Sequence, residues 1–488
     1  MPSTDKVAPI PDKLHVQIDP APETTSPPST KDYKSCSVSS LGSIETSAVS
    51  SSSVETTTDV NYRPNGLSAF ATLINFLKGM IGPGCLSLPL ALKQAGLWTA
   101  LVLIFIFGFL NNYCMLQLVR SSQKLSRNKG QVLDYGGVAY EACANSFKSL
   151  RKYRNVFKFL ANTVIIFLQI GICAVYYVFI STHIKEIVED NSDFRASTTT
   201  WSLLIFLPMA VVNLLRNLKT IAYLSMFGNV AMIGSLIFIM QFLLRQPHMI
   251  SQLPGVTNFD GILMACGSIL YSFEGQAMVL PMENRLKHPK KMVGPFGVLS
   301  QGMSLVTVVY AACGFFGYIT YGNKVQGSIT LNLPSTTMMY VVKGLLIFVI
   351  YTGFVIQQYV IVDLAWASLK DRLKLDTSRS RVLDFAAEGV FRTLLVIFEL
   401  LLAILVPKLE SIIPLVGATA GMLLAFVFPT LIDTMTFGPK WLSEGRPGKF
   451  NWKLIWCCSR NTLLLILGVF GLIAGLQSNV RNLLQEHA

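Results

Sequence analysis

The sequence predicts an all-α membrane protein of about eleven transmembrane helices, ten in a 5+5 inverted repeat and one outside it. Three observations carry this. The chain is 52% hydrophobic and only 14% charged, with a mean hydropathy of +0.50, too apolar for a soluble protein of 488 residues. Apolar runs of about 20 residues recur along it, the length that crosses a bilayer. Two of those runs, five spans apart, are interrupted by Gly, Pro and polar residues that a lipid-facing helix cannot carry.

The formal net charge of +13 would also fit a nucleic-acid binder. The basic residues sit instead in short loops between apolar runs, where they act as orientation signals, so the partner is the lipid bilayer and no nucleic-acid partner is expected. Nine cysteines include no C-x-x-C pair. Most fall within apolar runs (Cys85, Cys114, Cys173, Cys266, Cys313), which argues against a disulfide framework.

Met1 to Gly66 is rich in Ser, Thr and Pro and has no apolar periodicity, so residues 1–66 read as a disordered cytosolic tail. It has no apolar core of a signal peptide. Residues 67–484 form the transmembrane domain, and residues 485–488 are a short end. The first span, Ala69 to Leu92, contains Lys78-Gly79-Met80-Ile81-Gly82-Pro83-Gly84-Cys85. In a helix interior Gly costs about 1 kcal/mol and Pro about 3 kcal/mol. The helix is therefore predicted to break at Gly82-Pro83-Gly84, with the broken backbone lining something polar; the alternative is a kinked ordinary span.

Ten further spans follow, at about Leu97–Leu118, Phe157–Thr182, Trp201–Leu215, Ile221–Leu244, Gly261–Met282, Phe296–Thr320, Tyr340–Trp366, Phe391–Val406, Ser411–Ile432 and Thr462–Gln477. Trp201–Leu215 and Phe391–Val406 are short. Loops after even spans are basic: Lys124 to Arg154, Arg216 and Lys219, Arg285 to Lys291, Lys370 to Arg381, and Lys440 to Arg460. Loops after odd spans hold few basic residues. This alternation places the N-terminus in the cytosol and, with an odd count, the C-terminus outside or in a lumen. The membrane is either the plasma membrane or an endolysosomal one.

Span six carries Gly267-Ser268-Ile269-Leu270-Tyr271-Ser272-Phe273-Glu274-Gly275-Gln276, then Leu280-Pro281-Met282-Glu283-Asn284. Two interrupted segments in corresponding places of two halves point to a binding site at the repeat interface. No residue-level repeat accompanies them; the symmetry rests on span order and the breaks.

Here the sequence resembles a known family. Lys78-Gly79-x-Ile81-Gly82-x-Gly84, Leu88-Pro89-Leu90-Ala91 and Ala95-Gly96 are similar to the first span of the proton-coupled amino acid transporter family, within the amino acid/auxin permease superfamily. Ser272-Phe273-Glu274-Gly275, Met278 to Asn284, Gly327 to Pro334, Arg216-Asn217-Leu218 and Ala403 to Leu409 resemble its later motifs. The resemblance spans about Leu67 to Leu484. It implies a LeuT-type carrier of small neutral amino acids working by alternating access, often by proton symport. Two departures stand out. Family members typically have a proton-sensing histidine three residues before the lysine, where this chain has Asn75, which does not titrate near neutral pH. Members often have cysteines in the outer loops after spans three and seven, and this chain has none there.

Site expectations follow from the breaks. Gly82, Gly84 and Cys85, with Gly79 and Ile81 beside them, offer N–H groups to a carboxylate. Carbonyls near Tyr271, Ser272 and Phe273 are candidate acceptors for an ammonium, with Ser268 and Gly275 lining the same break. Tyr271 and Phe273 are alternatively packing groups. Tyr176 lies on a polar stripe of span three with Asn162, Gln169 and Cys173. Lys78 is expected either to bond backbone carbonyls where a sodium ion sits in sodium-coupled relatives, or to snorkel towards the cytosol. Glu274 is the leading candidate for proton exchange, against a structural bond to the break. Glu399 and Lys343 rank lower, as surface-near or paired groups. Gly417 to Gly421 read as a stripe for close helix packing. His183 reads as one of five histidines scattered over tail, loops and span ends.

No phosphate loop, H-E-x-x-H or G-x-S-x-G motif occurs, so no enzyme, cofactor or metal site is predicted. The expected function is a secondary transporter of small neutral amino acids. The alternatives are a uniporter or exchanger, and a sensor that binds an amino acid and signals with little transport.

Overall fold

The structure, a computed structural model, describes residues 62–64, 66–214, 218–372, 381–443 and 452–487. The sequence-predicted tail up to residue 61, and Arg216, Lys374, Arg379, Arg446 and Lys449 of the basic loops, lie outside the described residues.

The described residues are helical apart from short connections. In chain order the helices are α1 (Ala69–Met80), α2 (Leu88–Ala95), α3 (Leu97–Lys129), α4 (Tyr135–Ala144), α5 (Arg154–Asn191), α6 (Thr198–Asn213), α7 (Leu218–Leu244) and α8 (Phe259–Ser272). Then come α9 (Gln276–Arg285), α10 (Val298–Tyr321), α11 (Thr337–Arg372), α12 (Arg381–Leu405), α13 (Leu409–Val416), α14 (Phe428–Ser443) and α15 (Trp452–His487).

Among the described residues, eight helical stretches are long and apolar enough to cross a membrane, or nine if α1 and α2 count as one bent span. The expected eleven also counts α6 and α12. At 16 residues α6 is short, and α12 carries Glu388, Arg392 and Glu399. Both nevertheless present an apolar stripe outward at helical spacing: Leu203, Leu207 and Val211 on α6, and Val390, Leu394, Leu401 and Leu405 on α12 are all exposed. Large exposed aliphatic stripes of this kind belong against lipid rather than water.

Polar side chains point the other way. Asn111, Gln117, Gln169, Gln276, Gln358 and Glu399 are all buried, as intramembrane polar groups must be. Inside the bundle α5 lies along α11, α2 against α8, and α10 against α3, α2 and α1.

Three irregularities interrupt the bundle. Between α1 and α2 the axis bends by 45°, through Ile81-Gly82 and a 3₁₀ turn over Pro83–Ser87. Between α8 and α9 the helix lapses over Phe273, Glu274 and Gly275. The first break falls where Gly and Pro foretold it; the second falls at Gly275, with Pro281 carried inside α9. The third was not foretold: two π turns, Gly417–Gly421 and Leu423–Val427, widen the span made of α13 and α14. The stripe beginning at Gly417 does pack closely, against α8. A Cβ at Gly417 would sit 1.9 Å from the Gly267 carbonyl oxygen, and one at Gly267 would sit 2.3 Å from that of Pro414. Neither position has room for a side chain.

Candidate functional site

The two breaks meet. Gly84 packs on the end of α8 so closely that a Cβ there would lie 2.9 Å from Ser272 Cα. Ser272 Oγ donates to Gly84 O at 2.7 Å and is also 3.0 Å from Ser268 O. Ser87 Oγ donates to the same Gly84 carbonyl at 2.7 Å. Below the breaks, α1 and α9 interlock through methionines. A Cβ at Gly275 would strike Met80 Sδ, and one at Gly79 would strike Met278 Sδ at 2.5 Å.

Three residues that sequence reasoning missed hold this junction. Tyr310 Oη of α10 lies within hydrogen-bond distance of both Met80 O and Ser272 O, the last carbonyls before each break. Its ring packs on Phe273 at 5.0 Å. Asn111 Nδ2 of α3 donates to Phe273 O at 2.9 Å, and Gln276 Nε2 donates to Asn111 Oδ1 at 2.7 Å. The pair Asn111-Asn112 inside an apolar run was a usable signal for the second. A tyrosine in an apolar span carried none.

These bonds correct one expectation. The carbonyls of the span-six break are already engaged: Tyr271 O by Glu274 N–H at 3.3 Å, Ser272 O by Tyr310 and Phe273 O by Asn111. Each keeps a second lone pair for a further donor. On the other break, Cys85 N–H is taken by Gly82 O at 3.2 Å. Among the described residues, the N–H groups of Gly82 and Gly84 have no partner. They are the free donors at the start of the second half-helix, where an anion is favoured. Gly82 is also uncrowded, since a Cβ there would meet only Met80 O, at 3.9 Å.

The remaining expected residues divide. Tyr271 is buried, Tyr176 is half-buried, and their hydroxyls are electrostatic neighbours of one another and of the Tyr310 region. Tyr176 also bonds Gln357 and packs against Gly353 of α11. Ser268 turns away from the break, donating to Gln94 Oε1 at 3.1 Å. Ile81 packs against the core. Glu274 is half-buried at the break; Ala277 N–H donates to its carboxylate, and it faces Tyr135 of α4. Asn75 and Lys78 are half-buried on α1. Among the described residues Lys78 makes no hydrogen bond or ion pair. Its expected bonds to break carbonyls are not formed; the Met80 carbonyl accepts from Tyr310.

Two lower-ranked groups are more deeply placed than expected. Glu399 is 0% exposed and accepts from Gln358 Nε2 at 2.5 Å. Lys343, also 0% exposed, pairs with Glu186 at 2.8 Å.

Each end of the site is covered by an irregular segment. At one end, residues 62–64 and 66–67 run beside the end of α9. Leu67 N–H donates to Arg285 O at 2.7 Å, Lys287 N–H to Leu67 O at 2.8 Å and Arg63 N–H to Lys287 O at 3.0 Å. The Arg63 guanidinium donates to Glu283 O and lies 3.6 Å from its buried carboxylate. At the other end, the 3₁₀ turn Ile329–Asn332 lies against the Pro83–Ser87 turn, and Lys93 Nζ donates to Val325 O at 2.8 Å.

A family described as transmembrane amino acid transporter protein matches residues 65–474. The chain is 33% identical over 421 residues to a probable amino acid transporter, skat-1, of Caenorhabditis elegans, covering 85% of this chain and 90% of that one. It is 28% identical over 427 residues to the proton-coupled amino acid transporter-like protein pathetic of Drosophila melanogaster, covering 86% and 85% respectively. Among solved structures, a manganese transporter of Eremococcus coleocola overlaps 87% of this chain and 99% of its own at a TM-score of 0.45 and 12% identity. So loose a likeness decides nothing about this chain. The matched length, covering both breaks and the spans between them, makes the protein a member of the transmembrane amino acid transporter family, a multi-pass carrier and not an enzyme.

Proposed function

We propose that the protein carries small neutral amino acids by alternating access, driven by protons. The observation that carries this reading is the pairing of free N–H donors at Gly82 and Gly84 with the carbonyls at the end of α8, one break facing the other across the Gly84–Ser272 contact. A zwitterion supplies the matching carboxylate and ammonium. Close packing of Gly84, Ser272, Phe273 and Tyr310 leaves little width for a long side chain, which favours small substrates. The coupling group in this reading is Glu274, the carboxylate at the break, since Asn75 does not titrate. The relative named as proton-coupled supports proton drive. The alternation of basic loops supports a cytosolic N-terminus.

The test is uptake into proteoliposomes across an amino-acid panel, at two outside pH values and with or without sodium. Alanine, glycine and proline are expected to enter faster at acidic outside pH, independently of sodium. Glu274→Gln is expected to flatten the pH response while amino-acid exchange, which needs no net proton release, persists. Full acid stimulation in Glu274→Gln would make Glu274 structural.

A further inference from the structure

We propose that His183 latches the 325–333 segment over the site, and that protonating its ring releases the segment, so that acid on that side opens the carrier. This rests on the proposed orientation, in which that side is extracellular or lumenal. The geometry gives the ring two defined roles. His183 is 0% exposed near the end of α5, stacked on Phe179 with centroids 3.8 Å apart. Its Nδ1 is 2.8 Å from Phe179 O. A carbonyl only accepts, so Nδ1 carries the hydrogen, and in the neutral ring Nε2 is the acceptor. Nε2 lies 2.6 Å from Thr330 Oγ1, which lies 2.7 Å from Ser328 Oγ. The bonds therefore run in one direction, from Ser328 to Thr330 to His183.

A proton on Nε2 reverses that chain. The imidazolium donates to Thr330, Thr330 donates to Ser328, and the Ser328 hydrogen must find an acceptor elsewhere. Ser328 is 2% exposed, and among the described residues it has no other side-chain bond. The proton also places a second positive charge near Lys343 Nζ, the charged group that α11 directs at the ring. Glu186, one turn further along α5, is already committed to Lys343 at 2.8 Å. The 325–333 segment itself brings only the Ser328 and Thr330 hydroxyls to the ring. The docked segment therefore disfavours the proton, and by linkage the proton disfavours docking.

What the segment covers makes this functional. Its turn Ile329–Asn332 rests on Pro83–Ser87, the turn that follows Gly82 and contains Gly84, the two free donors of the proposed substrate site. His183 is then a positioning residue. Because the docked state excludes its proton, it senses pH without being the proton that Glu274 carries.

The experiment pairs two readouts on wild type, His183→Gln and Thr330→Val. The first is uptake of a labelled alanine, glycine and proline mixture into proteoliposomes, at outside pH 5.5 and 7.5 with the inside held at 7.5. The second is amide hydrogen exchange of residues 325–333, scaled for the intrinsic pH dependence of exchange. In wild type, protection of 325–333 should fall about threefold or more at pH 5.5, and uptake should rise. In His183→Gln, whose amide can still accept from Thr330, protection should not change with pH, and the acid-to-neutral uptake ratio should fall. Thr330→Val should already show the low, acid-like protection at pH 7.5. PH-independent protection in wild type, or a His183→Gln variant that keeps the full pH response of 325–333, overturns the latch. Flux with no change in protection would remove the latch and leave the carrier reading intact. A pH-dependent segment with no flux would remove the carrier reading and leave the latch.

Discussion

The Tyr310 hydroxyl sits between two carbonyls, Met80 O and Ser272 O, and its single hydrogen serves one of them at a time. Tyr310→Phe removes it and leaves buried acceptors at both breaks, a loss of about 1–3 kcal/mol. Uptake should fall roughly tenfold with the protein still folded, since the ring's contact with Phe273 survives. Expression-normalised uptake equal to wild type would mean that the breaks are held by packing alone. The two glycines of the first break differ as sharply. Gly84→Ala puts a methyl 2.9 Å from Ser272 Cα, on backbone that cannot swing away, whereas Gly82→Ala meets nothing nearer than 3.9 Å. We expect Gly84→Ala to abolish uptake and Gly82→Ala to keep most of it, measured at equal protein in the membrane. At this scale the sequence was legible where a residue broke a local rule. Gly84 inside an apolar run was such a case. Tyr310 and His183 were not, because a tyrosine in a span and a histidine near a span end violate nothing until their partners, on distant helices, are known.

The elements were easier to read than the residues. Gly and Pro located the first broken span because helix interiors reject them; Gly275 and its polar neighbours located the second, since Pro281 is carried inside α9; and the apolar runs located the long helices because lipid demands their length. The π turns of the span made of α13 and α14 could not be read from composition, since Gly417 to Gly421 has the composition of any close-packing stripe, and here it packs against Gly267. The covering segments escaped notice for a related reason. Residues 62–64 and 66–67 have no periodicity, and they are held by pairing with Glu283 to His288. That pairing makes a prediction. Arg63→Ala removes the cation facing the buried Glu283 carboxylate, which leaves Glu283 with Gln123 Nε2 at 3.3 Å. Hydrogen exchange over residues 283–288 should quicken several-fold in this variant, while exchange in 325–333, at the other end of the site, should not. Unchanged protection of residues 283–288 would show that the backbone bonds alone hold the strap.

At the scale of the whole molecule, the apolar outer stripes of α6 and α12, the polar interior and the two facing breaks describe a protein built to be covered by lipid, with a junction of broken helices inside it. The loop charges add a direction to that architecture. A tag on the N-terminus should become accessible only after permeabilisation, and one on the C-terminus should be reached from the opposite face; two tags on one face would change the span count by one. Counterflow tests most directly that the junction of the breaks is a transport site. Proteoliposomes are preloaded with unlabelled alanine, glycine and proline and diluted into trace label, with wild type and Gly84→Ala side by side. Wild type should accumulate label transiently above equilibrium, and Gly84→Ala should not. Saturable binding of label by wild type without any counterflow would contradict transport at this junction, and so would undiminished counterflow by Gly84→Ala.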